Sequence, residues 1–170
     1  RLFEDVDRVF NDIVEESGPD GPRTVVKPEH RQDHVVIIRM DTGTEPRRGF
    51  DGLFRVEGVA PIVEEQIVKR HRRVVFWVER AENGAALFPW ISPEMYFTSD
   101  GVMGFTTDLE DFSIGDEMVD EKQISLRIGH AEGFANKGGY DSILIKPMAR
   151  SRYWLAVKFE GGQPVYLQKK

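Results

Sequence analysis

Residues 69–91 read KRHRRVVFWVERAENGAALFPWI. Val74, Phe76 and Val78 alternate with Val75, Trp77 and Glu79, so large apolar groups stand on both faces. That is the pattern of a central strand covered on two sides. Ala81-Glu82-Asn83-Gly84 follows, and an Asn-Gly pair tolerates the positive φ angles of a type I′ turn. The stretch therefore predicts a hairpin whose second arm returns antiparallel. Phe76, Trp77, Trp90, Tyr153 and Trp154 all fall in predicted strands, where core packing accounts for them more cheaply than base stacking.

Outward from this hairpin, helical periodicity is clearest over residues 2–16, where Leu2, Phe3, Val6, Val9, Phe10, Ile13 and Val14 form one stripe. Ser17-Gly18-Pro19-Asp20-Gly21-Pro22 ends it. Such a helix either lies over a sheet or docks as an arm on a neighbouring subunit. Residues 24–27, 34–40 and 53–59 read as strands, 41–52 as a turn-rich loop, and 61–68 as a short helix or turn. A second hairpin is expected for 94–98 and 102–107 around Ser99-Asp100-Gly101. Further strands are expected at 123–129, 142–147, 152–160 and 165–168, with Gly161-Gly162 joining the last two. Residues 108–121 and 130–141 are the long loops. With no crossover helix in view, a parallel βαβ sheet is not expected. The fold class is mainly β: an antiparallel sandwich, jelly roll or barrel of about ten short strands with one N-terminal amphipathic helix. Residues 1–22 form the helix and hinge, and 23–170 a single β-rich domain.

The 170 residues are 40% hydrophobic and 31% charged, an ordinary globular composition. There is no cysteine, so disulfides, thiolate catalysis and Cys-ligated metals are excluded. A net charge of −6 disfavours a protein that coats nucleic acid. No apolar run reaches the roughly 20 residues of a membrane helix, and no signal-peptide pattern opens the chain. A soluble, intracellular protein is expected, although the first residue is Arg1 rather than Met, as in a trimmed chain.

Three constellations carry chemistry. Lys69, Arg70, His71, Arg72 and Arg73 form a dense cationic run, which mutual repulsion should hold at the surface as a grip for phosphates or an acidic partner. If all its fixed charges met phosphate, the salt slope would be about −3 to −4. Arg47, Arg48 and Lys137 are candidate extensions of this anion-binding surface. Opposing it are Asp108, Glu110, Asp111, Asp116, Glu117, Asp120 and Glu121, whose spacing is not that of a calcium loop. One subunit's acidic loop meeting another's basic run would build rings or arrays. His130 and Glu132, two apart, would point the same way on a strand and are the candidate catalytic residues for acid–base work. His30, His34, His71 and His130 lack metal-site spacing, and neither nucleophile nor nucleotide motifs occur. No metal and no cofactor are expected.

Val35-Val36-Ile37-Ile38-Arg39-Met40-Asp41 is similar to the strand-borne R-x-D of ADP-ribosyltransferase toxins of the cholera and pertussis type. Phe105-Thr106-Thr107 falls where their Ser-Thr-Ser strand would stand. The family's Gln/Glu-x-Glu pair has no counterpart, because Lys158 precedes Glu160 and His130 precedes Glu132 at that spacing. The similarity covers about ten residues and assigns no membership.

The expected function is non-catalytic binding or self-assembly through segregated basic and acidic surfaces, with a protein partner or a second copy. A viral or phage structural or accessory protein is one setting, by fold analogy. The alternatives are an enzyme using His130 and Glu132, or an Arg39–Glu160 transferase remnant, and a nucleic-acid-binding module using residues 69–73.

Overall fold

The computed structural model describes residues 13–27, 35–43, 50–106 and 116–169. Its centre is a parallel sheet. Strands β3 (Val35–Asp41), β4 (Arg73–Glu82) and β5 (Glu94–Gly104) lie in that order. Helix α1 (Phe50–Val68) crosses from β3 to β4. Helix α2 (Glu117–Gly138) and the short α3 (Ile145–Ala149) follow β5. Two antiparallel hairpins complete the chain: β1 (Ile13–Gly18) with β2 (Gly21–Val26), and β6 (Trp154–Glu160) with β7 (Gln163–Lys169).

This mixed α/β arrangement overturns the mainly-β expectation. β4 is indeed the central strand, but both its neighbours run parallel to it. Asn83 does take the positive φ that its turn chemistry allows, at 56°. The chain then enters two 3-10 turns, Asn83–Leu87 and Pro89–Ile91, which carry it back to start β5 parallel to β4. Residues 94–104 are not a second hairpin. They form one strand with a bulge, where Thr98-Ser99-Asp100-Gly101 stand opposite Glu79 alone. At that point a Cβ on Gly101 would lie 2.7 Å from the Val78 carbonyl, so only glycine fits without a shift.

The other differences are helices read as strands or loops. Residues 53–59 belong to α1, joined to the helix expected at 61–68. Pro61 lies inside α1 and removes the N–H that would meet the Glu57 carbonyl. Residues 123–129 and most of 130–141 are α2, and 142–147 are a 3-10 turn leading into α3. α2 begins inside the acidic stretch expected as a loop over 108–121, so Glu117, Asp120 and Glu121 are helical: the Asp116 carboxylate accepts from Val119 N at 2.9 Å, and Glu117 and Asp120 face the positive end of the helix dipole. Gly139, at φ 83°, closes the helix. The N-terminal helix expected over 2–16 lies outside the described residues up to position 12, and its last residues are in β1.

The core forms on one side of the sheet. Val36, Val74, Phe76 and Ile91 pack with Ala60 and Val63 of α1. Ile124, Ile128, Ala131 and Ala135 of α2 pack with Leu87, Trp90, Ile145 and Ala149. Met95 and Phe134 touch both clusters. Ser92, fully buried, donates to the Val74 carbonyl at 2.5 Å and so fixes the start of β5.

Candidate functional site

The opposite face of the sheet is built from the alternate residues of the same strands: Val35, Ile37 and Arg39 on β3, Arg73, Val75, Trp77 and Glu79 on β4, Glu94 and Tyr96 on β5. Parallel sheets are ordinarily covered on both faces. Here Ile37 is 64% exposed, Tyr96 49%, Val35 44% and Trp77 40%, while Val75 between them is buried at 7%. Trp77 thus departs from the expected core placement, as does Trp154, whereas Phe76 and Trp90 are buried.

Ion pairs bracket the apolar middle of this face. Arg39 donates to both Glu79 oxygens at 2.7 and 2.5 Å and reaches Asp41 at 3.3 Å. Arg73 donates to both Glu94 oxygens at 2.6 Å. These hydrogen bonds lower the pKa of Glu79 and of Glu94, outweighing the smaller effect of desolvation. The face is therefore a patch of aliphatic and aromatic side chains whose rim charges are satisfied within the chain.

The expected anion-binding run is divided by the same geometry. Arg72 turns inward, buried, with its guanidinium donating to Gln66 Oε1 at 2.9 Å, and burial lowers its pKa. Arg73 is held by Glu94. Lys69 and His71 are exposed, His71 at a positive φ of 52°. Arg47 and Arg48 lie outside the described residues, as do 107–115 of the acidic stretch. Lys137 pairs with Glu64 at 2.7 Å.

A second site lies between α1 and α2, a cleft of about 350 Å³ lined by Glu57, Pro61, Glu64, Gly129, His130, Gly133, Phe134 and Lys137. On α2, His130 and Glu132 do not face each other. Glu132 pairs with Lys146 at 3.2 Å. His130 Nδ1 lies 2.7 Å from Glu57 Oε1, and the other Glu57 oxygen accepts from Arg127. Arg127 is buried, spans to Gln123 at 3.2 Å and stacks its guanidinium 4.5 Å from the Phe54 ring centroid. Burial pushes the Glu57 pKa up, and hydrogen bonds from Arg127 and His130 more than reverse this, so it falls below its ordinary 4.5. Glu57 was missed because residues 53–59 read as a strand. As a helix, they bring it against His130.

The carboxyl edge of the sheet, where open α/β sheets bind ligands, holds a recess of about 160 Å³ lined by Glu82, Gly104 and Thr106 among others. Asn83 Oδ1 accepts from Thr106 N and Oγ1 there, each at 3.1 Å. Arg39 and Glu160 belong to different sheets, and Glu160 pairs with Lys158 at 2.6 Å. Among the described residues no acidic or histidine cluster has metal-binding geometry, and no helix is long and apolar enough to cross a membrane. No family model matches the chain, and no curated protein or solved structure matches it either.

Proposed function

We propose that the protein is a non-catalytic binding and self-assembly protein that works through the open face of its parallel sheet. The observation that carries this reading is the exposure of Val35, Ile37, Trp77 and Tyr96 on a sheet type that is otherwise buried on both sides. The rim supports it. Arg39–Glu79 and Arg73–Glu94 are already paired, so covering the face strands no lone charge. This moves the binding surface from the segregated charged segments to the sheet. Light scattering of the purified chain across concentration and salt tests it. A mass above the monomer that Trp77→Lys abolishes is expected. A salt-indifferent monomer at high concentration, or assembly untouched by Trp77→Lys, refutes it.

A catalytic reading has one observation in its favour, the His130 Nδ1–Glu57 contact of 2.7 Å at the cleft wall. A carboxylate so placed orients an imidazole as a general base. Among the described residues the cleft lining holds no hydroxyl nucleophile, so the base would act on water or on a substrate proton. Hydrolysis of an ester panel that His130→Ala abolishes would support it. Unchanged turnover in that variant would end it.

A further inference from the structure

The C-terminal hairpin is the second apolar surface that the chain leaves uncovered. Its register sets Val157 opposite Tyr166 and Phe159 opposite Pro164. Opposed residues of an antiparallel pair share a face, and Leu155 joins them by the two-residue period. Phe159 is 73% exposed and Val157 48%. Two-stranded hairpins are marginal in water without something to pack on. The other side of the ribbon is mixed: it carries Trp154, 72% exposed, and Leu167, 46%, but also Lys158 paired with Glu160 at 2.6 Å, so the side of Val157 and Phe159 is the one free of charge.

We infer that the apolar side of this hairpin, from one copy of the chain, is the element that covers the open sheet face of another copy. The inference rests on the reading of that face as a binding surface and names its occupant. Three observations select a second copy. The chain carries both an apolar sheet face and an apolar ribbon, and Ile37 and Phe159 show that neither covers the other within one molecule. Their lengths match: β3 and β6 are 7 residues each, about 23 Å at roughly 3.3 Å per residue. Charge agrees as well. Copies with a net charge of −6 repel, and contact is least opposed where ionic groups are already paired, as on the sheet face, or stand on the far side, as on the ribbon. The packing is a ribbon laid on a sheet about 10 Å away, as between the layers of a sandwich. Because arm and face are different surfaces, the contact is heterologous and propagates to rings or open arrays.

That asymmetry gives the test. Phe159→Lys disables the arm and leaves the face, whereas Trp77→Lys disables the face and leaves the arm. Both positions are exposed, and Val157→Lys and Ile37→Lys serve as second variants at each surface should either fail to fold by circular dichroism. Light scattering of the 170-residue chain should show assemblies larger than a dimer for the unmodified protein and monomers for each variant alone. An equal mixture of the two variants should give a 1:1 dimer that grows no further. A mixture that stays monomeric overturns the inference. So does Phe159→Lys assembling like the unmodified chain, and if Trp77→Lys is then monomeric, the face keeps its role and only the arm is lost. An unmodified chain that is monomeric throughout overturns both.

Discussion

Replacing Glu57 by alanine should cost far more stability than replacing Glu64, although both anchor ion pairs between α1 and α2. Glu57 holds Arg127, whose side chain is 9% exposed, while its own is 21% exposed. Glu64 holds Lys137 with side chains 34% and 51% exposed. Removing one partner of a fully buried pair costs about 3–5 kcal/mol, because the other charge is stranded. Exposed pairs contribute about 0–1 kcal/mol. Arg127 cannot shed its proton and retains only Gln123 and the Phe54 ring. Scaling for the partial exposure of Glu57 gives about 2–3 kcal/mol for Glu57→Ala and about 0.5 kcal/mol for Glu64→Ala. At this chain length the former corresponds to a fall of roughly 5–10 °C in Tm. Urea denaturation followed by far-ultraviolet circular dichroism measures both, and a double-mutant cycle with Arg127→Met isolates the pair. Equal costs for the two glutamates, or a coupling energy near zero, would show that the Glu57–Arg127 pair does not hold α1 to α2. The pH dependence has a defined sign. The folded-state pKa of Glu57 lies below its ordinary 4.5, so its contribution is complete above that value. It disappears as pH falls through the depressed one. The stability gap between the native chain and Glu57→Gln should therefore close in acid.

Phe76→Ala removes a side chain with 0% exposure that packs edge-on against Phe88, and calorimetry or urea denaturation should show a loss of about 3–5 kcal/mol. Two glycine substitutions should move in opposite directions in the same assay. At Gly101 an added Cβ meets backbone oxygen at 2.7 Å, costing about 1–3 kcal/mol. At Gly129, inside α2 with nothing within 4 Å, alanine should add about 0.5–1 kcal/mol. Asp116→Ala removes the N-cap of α2 and should lower stability by about 1 kcal/mol.

The strands were legible where side chains alternate on a bonded backbone. β3, β4, the C-terminal hairpin and its Gly161-Gly162 turn all stand close to where the two-residue period places them. Strand direction was not legible, because Asn83-Gly84 has the chemistry of a hairpin turn whether or not the chain turns back there. Its positive φ is real, but Pro89 and the buried Leu87, Trp90 and Ile91 carry the link back across the core face of the sheet instead. α2 escaped notice because its buried stripe is built largely from small or polar residues, Arg127, Ala131, Ala135 and Gly138 beside Ile124 and Ile128. Their helical spacing was present, but without bulk it does not read as an apolar face. α1 was obscured by Gly52, Gly58 and Pro61, residues that usually mark turns. The cleft pair depended on both helices: once α1 and α2 are recognised as helices, Glu57 becomes a partner for His130, and Glu132, two positions further along α2, does not. The open sheet face was invisible for a different reason. Val35, Ile37, Trp77 and Tyr96 have the composition of a covered strand, and exposure is not a property that composition encodes.

The pairing of β3 with β4 also has a kinetic consequence. Val35 meets Arg73 only after α1 has formed or collapsed between them, whereas each terminal hairpin pairs residues close in sequence. Loop closure must precede the parallel contacts, so the central sheet sets the folding rate, whereas the hairpins close on local contacts alone. In the folded chain the amides of β4, bonded on both edges, exchange with solvent last, and those of the two terminal ribbons open first and independently.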